Sequence, residues 1–377
     1  MTRSPAGTIP TLDGWRAISI LMVTVLHTAM NIWSDDHPEA NSIVRLGALG
    51  VDIFFGISGL LITKLLIVEF ERKGRINLAA FYVRRLFRVL IPCYCFIAVV
   101  LAFKLYDSRS ELLSCLFFYR NYLNNDFNAI YTAHLWSLAV EEHFYLLWPP
   151  ILVLVTVKRG REVAMWMAVA IALWRIAVDQ NFPALASVGF AQFRTDYRLD
   201  SLLWGAVIAF ILHKSGGILR ARLTPAVWTG ILTAFIVCVV LYSRLTKIWM
   251  PMLIPLLLAG TLTHPEWAFS RLLDSRPMVW LGRLSYSLYL WQILFLAPDS
   301  HSPHWWQHAP VNVVLAIALA ALSHQWLEQP LRRIGKRVSD RITNHAGVEL
   351  PRRPREPGTG SHSRQPELSA SSPRPLA

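Results

Sequence analysis

The chain has 377 residues, 54 % of them hydrophobic and 16 % charged, with a formal net charge of +13. An ordinary soluble domain carries about 25 % charged residues, so this shortfall, with apolar runs of about 20 residues, excludes a soluble globular protein and indicates an all-α, polytopic membrane protein. The basic residues lie between the apolar runs rather than in one soluble patch, which suits an anionic cytoplasmic lipid surface and leaves nucleic acid out.

Residues 1–12 form a short polar lead, and a first span runs to about Trp33 without a small-residue cleavage site, so no secretory signal is expected. The span opens with DGWRAISILMVTVLH (13–27), which sets Asp13, Arg16 and His27 in an apolar run. At roughly 100° per residue, Arg16 and His27 fall on one helical stripe, separated by roughly 16 Å along the axis. Ionisable groups inside a span are costly and mark pathways or reacting groups. A snorkelling arginine and a histidine bonded to a neighbouring helix are the alternative.

Asp35, Asp36 and Glu39 then form an acidic loop. A second span, 47–69, carries Asp52 at its outer edge, with Gly50, Gly56, Gly59 and Ser58 at the small-residue spacing of close helix packing. ERKGR (71–75) and the trio Arg84, Arg85 and Arg88 make a basic turn, which the positive-inside rule assigns to the cytoplasm together with both termini. Arg84 and Arg88 share a helical face, as an anchor or as a clamp for phosphates.

A third span covers 83–105, whereas 111–123 is too short to cross and reads as an interfacial or re-entrant helix. The next span, 134–157, then runs inward and puts Lys158, Arg159 and Arg161 in the cytoplasm. Glu141 and Glu142 within it point about 100° apart, so one faces a pathway and the other a neighbouring helix or the headgroups.

Spans at 162–178, 199–213, 225–243, 248–263, 279–297 and 310–329 bring the expected total to about ten crossings. Arg198 and Asp200 open one of them, as a local pair or an acceptor-binding site, and Arg283 and Ser285 sit at the inner end of another. The transmembrane domain is expected over 1–339, with a disordered Pro-, Ser- and Arg-rich cytoplasmic tail over 340–377. The four cysteines lack zinc-ligand spacing and read as packing residues, and no metal is expected.

LDGWRAISILMVTVLH, GVDIFFGISGLLIT, FYVRRLFRVLIP, HLWSLAVEEHFYLLWP, RLDSLLWGA and LGRLSYSLYLWQ, in this order, resemble the blocks of the acyltransferase-3 family of integral-membrane acyltransferases over about residues 9–332. The resemblance implies a ten-helix enzyme of the bacterial inner (plasma) membrane. It would pass an acyl group, commonly acetyl, from cytoplasmic acyl-CoA to a hydroxyl of a carbohydrate or glycosylated acceptor. By position, Arg16 and His27 become the family's essential pair, and Glu141 and the Arg84–Arg88 cluster its other recurrent polar sites. The chain departs from the pattern at His143, where the family often has Gln, and at Gln292, where it often has His.

Joined to the helix geometry, the resemblance implies acyl-CoA phosphates near Arg16, Arg84, Arg85 and Arg88. The thioester then lies near His27 as general base, with Glu141 or Asp52 orienting the imidazole. Asp13, Glu142, Arg198 and Asp200 are left for the acceptor. The alternative is a secondary transporter or flippase for a lipid-linked or acylated sugar, since buried Arg, His and Glu suit a proton-coupled carrier as well.

Overall fold

The computed structural model describes residues 9–32, 40–123, 129–182, 191–241, 246–296 and 305–345, and among these every regular element is a helix. The acidic loop, Asp35 to Glu39, lies outside the described residues. Helix α1 (Pro10–Ile32) starts on a proline with Asp13 in its first turn, both favoured where backbone N–H groups are unpaired. Helix α2 (Ala40–Lys73) ends on Arg72 and Lys73, the charges that suit a C-terminus. Helix α3 (Leu78–Arg85) is capped by Asn77, whose side chain accepts from the Ala80 N–H at 2.9 Å.

From α3 the chain continues through a π-helical turn, Leu86–Leu90, into α4 (Ile91–Ala102). Pro92 lacks an N–H and its ring crowds the carbonyl one turn earlier, so the ladder widens just ahead of it. Helix α5 (Arg109–Leu116) is too short to cross, in keeping with the expectation for that stretch, and α6 (Ile130–Ala133) is a single turn.

Helix α7 (Leu135–Asn181) is broken at Thr156, whose φ of 66° and ψ of 149° are non-helical. The chain folds back there. A Cβ on Gly160 would lie 2.5 Å from the Leu152 side chain, whereas eight residues of straight helix span about 12 Å. The two arms correspond to the expected spans 134–157 and 162–178, but the reversal falls at one residue rather than across a polar turn.

Helices α8 (Thr195–Arg222), α9 (Pro225–Leu241), α10 (Thr246–Thr263), α11 (Ala268–Leu273), α12 (Arg276–Trp291) and α13 (Ile293–Leu296) follow. Helix α14 (Val311–Ser323) passes through a second π-helical turn, His324–Glu328, into α15 (Gln329–His345). Pro330 stands two residues beyond that turn, as Pro92 stands two beyond the first. Helix α15 runs past the boundary expected at 340 because it has a face to bury: Gly335 lies against Phe87, and Ser339 is buried beside Arg84.

Among the described residues, five helical stretches are long and apolar enough to cross a membrane: Arg45–Lys73, Leu78–Ala102, Ile130–Asn181, Thr195–Arg222 and Val311–Asn344. Pro225–Leu241 and Ile248–Thr263 are shorter apolar helices. Helix α2 packs on α1 and α8, α7 packs on α8, and α1 packs on α12. One core gathers Phe55, Phe144, Trp148 and Leu202, and another gathers Phe96, Cys93, Cys115 and Leu288, with all four cysteines free. Between these two cores the bundle is hollow.

A basic cavity that ends below two histidines

Helix α12 sits so close on α1 that a Cβ on Gly282 would fall 1.7 Å from the Asp13 carbonyl oxygen. This contact sets the next residue, Arg283, beside Asp13. Arg16 donates to Asp13 Oδ1 at 2.8 Å, and Arg283 Nε lies 3.5 Å from Oδ2, so one buried carboxylate positions two guanidinium groups. Both arginines line a cavity of ≈ 710 Å³ bounded by α1, α2, α3, α7, α12, α15 and the two π-helical turns.

The wall carries seven cationic side chains, Arg16, Arg85, Arg88, Arg283, Arg332, Arg333 and Lys336, against three carboxylates, Asp13, Glu141 and Glu328. Such an excess in a partly enclosed space focuses a positive potential, and guanidinium forks match phosphate oxygens. The first π-helical turn brings Arg88 and Val89 to the wall, where Tyr286 donates to the Val89 carbonyl at 2.7 Å. The second brings His324 and Glu328, which are bonded to each other at 3.2 Å, with Ser287 donating to Glu328 as well. Arg84, expected to clamp with Arg88, is not on this wall. The carboxylate of Glu69 draws it away at 3.1 Å, and it donates to Ser339 at 2.7 Å.

Glu141 and Glu142 diverge as adjacent helical residues must. Glu141 faces the cavity, where Ser58 donates to one oxygen at 3.0 Å and Tyr145 to the other at 2.7 Å. Arg85 lies over the Tyr145 ring at 4.2 Å. Glu142 points away, with a buried Oε1 that has no partner among the described residues. Ser58, read from the sequence as packing alone, also orients this carboxylate.

At its inner end the cavity is lined by Ser137 and Tyr289, whose hydroxyls lie 2.9 Å apart. Tyr289 also donates to the His134 carbonyl, and its ring packs on the His134 ring at 5.1 Å. His27 is absent from the cavity wall. It lies eleven residues, about three turns, beyond Arg16 along α1. Its Nδ1 and both ring nitrogens of His134 are buried without partners among the described residues. So Arg16 lines the cavity, and His27 belongs to a layer beyond its end.

Neither carboxylate expected to orient His27 does so, because Glu141 is held by Ser58 and Tyr145, and Asp52 has other partners. Asp52 lies 3.3 Å from Arg198 and accepts from Ser201 at 3.4 Å, while Arg175 of the second α7 arm donates to Asp200 at 2.6 Å. The expected local pair of Arg198 with Asp200 is therefore exchanged for two longer-range pairs, since burial leaves each charge needing its nearest opposite. Arg198 also lies over the Trp136 ring at 5.4 Å. None of Asp52, Arg198 and Asp200 lines the cavity. Among the described residues, no group of three His, Cys, Asp or Glu side chains could hold a metal ion.

With this geometry in view, residues 9–325 match the family described as an acyltransferase domain. The chain belongs to the acyltransferase-3 family. It is similar to the peptidoglycan O-acetyltransferase OatA of Listeria monocytogenes, 28 % identical over 375 residues, which cover 89 % of this chain and 57 % of that protein. A putative O-acetyltransferase of Staphylococcus aureus is 30 % identical over 365 residues, covering 87 % of this chain and 58 % of the relative. The putative peptidoglycan O-acetyltransferase YrhL of Bacillus subtilis is 28 % identical over 369 residues, covering 88 % and 56 %. The chain thus spans a little over half the length of these acyltransferase-3 relatives. No solved structure matches it.

Arg332, Arg333 and Lys336, and likewise Tyr286 and Tyr289, line the wall without having been singled out from the sequence. Glu328 gave no signal. The available clue was Pro330, which marks the irregular turn that presents His324 and Glu328.

Proposed function

We propose that the protein is a membrane O-acyltransferase that takes an acyl group, acetyl in the first instance, from acyl-CoA. Its acceptor is a hydroxyl of a carbohydrate, with peptidoglycan favoured by the names of its relatives. One observation carries the reading: a cavity walled by seven cations also holds the Ser137–Tyr289 hydroxyl pair, and Tyr289 packs on His134, one of two buried histidines with ring nitrogens that lack partners among the described residues. A multiply phosphorylated donor fits the basic wall. Its extended thiol-bearing arm fits beside Glu141, Ser58 and Tyr145.

In this reading Arg16, Arg85, Arg88, Arg332, Arg333 and Lys336 bind the phosphates, and Asp13 fixes Arg16 and Arg283. Glu141 accepts from an amide N–H of the arm. His27 takes the proton of the acceptor hydroxyl as that oxygen attacks the acyl carbon, a role suited to imidazole. The wall hydroxyls of Ser137 and Tyr289 must part before the thioester reaches His27. The basic mouth faces the cytoplasm by the positive-inside rule, so the termini are assigned there, in an inner membrane crossed about ten times.

The test uses purified protein in lipid nanodiscs with acetyl-CoA labelled in its acetyl group and a β-1,4-linked N-acetylglucosamine oligosaccharide. An acyltransferase releases free CoA and labels the sugar. A carrier of acylated sugars releases none, and that result would remove the reading.

A further inference from the structure

Beyond the end of the cavity lies a layer of buried nitrogen atoms that lack hydrogen-bond partners among the described residues. They are Nδ1 of His27, both ring nitrogens of His134, and Nε2 of Gln292. Buried polar groups are nearly always paired, so several orphans in one place call for an explanation. Three elements bring them there. On α1, His27 stands three residues after Thr24, so the two side chains are neighbours on the helix surface. Thr24 donates to Gln292 Oε1 at 2.8 Å across the α1–α12 contact. Gln292 follows Tyr289 by three residues at the C-terminal end of α12, and Tyr289 packs on His134. Gln292 has no exposed surface.

The bond from Thr24 occupies the amide oxygen, so the Gln292 NH₂ is left free as a fixed donor. An amide locked this way resembles the side-chain donors that stabilise developing oxyanions. A buried donor with no ground-state partner costs stability, and a catalytic role is one reason such a group is kept. Thr24 and Tyr289 tie the orphan nitrogen to the segments that carry both imidazoles, and the acyl carbon arrives there if the acyltransferase reading above holds.

We infer that Gln292 Nε2 is the oxyanion donor of the acyl transfer, held in register by Thr24. The acceptor hydroxyl oxygen forms a bond to the acyl carbon and its proton passes to His27. The carbonyl electron pair moves to oxygen and is held there by the Gln292 N–H. On collapse the carbon–sulfur bond breaks, and the CoA sulfur leaves with the proton from His27, giving an ester and free CoA thiol. Gln292 is thereby a catalytic residue and Thr24 a positioning residue.

This inference rests on the acyltransferase reading, and the experiment separates the two. Full-length protein in nanodiscs is assayed for CoA release from acetyl-CoA, with water or the N-acetylglucosamine oligosaccharide as acceptor, and for binding of CoA by calorimetry. The variants are Gln292→Met, Gln292→Glu and Thr24→Val. Gln292→Met removes an unsatisfied buried amide for an apolar chain of similar length, so a purely structural role predicts unchanged turnover. The inference predicts a fall in kcat of about 100-fold to 1,000-fold in Gln292→Met with the KM for acetyl-CoA and the Kd for CoA essentially unchanged. Gln292→Glu keeps the acceptor for Thr24 and lacks the donor only once ionised, so its kcat falls as pH rises through the titration of the new carboxyl. Thr24→Val loses less, again in kcat alone. No CoA release from the wild type would overturn the acyltransferase reading. Wild-type release with undiminished kcat in a folded Gln292→Met, shown by its retained CoA binding, would overturn the oxyanion assignment alone.

Discussion

The hydroxyls of Ser137 and Tyr289 lie 2.9 Å apart, and both residues line the basic cavity. Tyr289 spans two environments, with its ring against His134 and its hydroxyl on the wall. Replacing it by Phe keeps the ring and removes the latch. Tyr289→Phe is expected to raise the hydrolysis of acetyl-CoA by water relative to transfer to the sugar, because the thioester reaches the imidazole layer without the acceptor in place. The ratio of free acetate to acetylated oligosaccharide measures this, and an unchanged ratio would assign the pair to packing.

Arg85 and Arg88 line the cavity, whereas Arg84 is turned to Glu69 and Ser339. A charge-assisted bond contributes about 1.5–3 kcal/mol, so Arg85→Ala with Arg88→Ala is expected to weaken CoA binding by at least tenfold, roughly the factor for 1.4 kcal/mol. Arg84→Ala is expected to leave CoA affinity unchanged. It should cost less than about 1 kcal/mol of stability, because its ion pair is partly exposed. Calorimetric titration with CoA separates the Arg85–Arg88 pair from Arg84.

The Arg175–Asp200 pair predicts a different kind of phenotype. Asp200 has no exposed surface, and its loss leaves a buried guanidinium uncompensated. Asp200→Ala is expected to destabilise the fold by about 3–5 kcal/mol, seen as a lower Tm in detergent and less protein in the membrane. The fraction that folds should bind CoA normally. Normal stability together with lost sugar acetylation would instead return Asp200 to the acceptor site.

Glu141 holds two donated hydrogen bonds, from Ser58 and Tyr145. Glu141→Gln keeps the shape but presents an N–H to one of those hydroxyls, so the side chain turns or loses a bond. The KM for acetyl-CoA is expected to rise by about tenfold, the loss of one charged hydrogen bond, with no change in Tm. A fall in kcat alone would place Glu141 at the reacting atoms instead.

The helical class was legible because composition and apolar periodicity act locally. The divergence of Glu141 from Glu142 was legible for the same reason, being fixed by helix geometry. The partners of Asp52, Arg198 and Asp200 were not, because burial chooses among all charges brought near, and Arg175 lies on an arm whose position depends on the fold-back at Thr156. The removal of Arg84 from the clamp depended on Glu69 and Ser339, distant in sequence. The place of His27 beyond the cavity followed from where Tyr289 and Ser137 meet, which no spacing within α1 encodes. The contribution of α15 was hidden because its polar sequence buries only a narrow face.

His27 as the base in acyl transfer is tested most directly by single-turnover transfer of labelled acetyl from acetyl-CoA to the oligosaccharide. Wild type and His27→Ala would be compared in nanodiscs at equal, folded concentrations. Loss of a general base predicts a rate for His27→Ala lower by about 100-fold to 10,000-fold, with CoA still bound at wild-type affinity. Transfer at the wild-type rate in His27→Ala would contradict it.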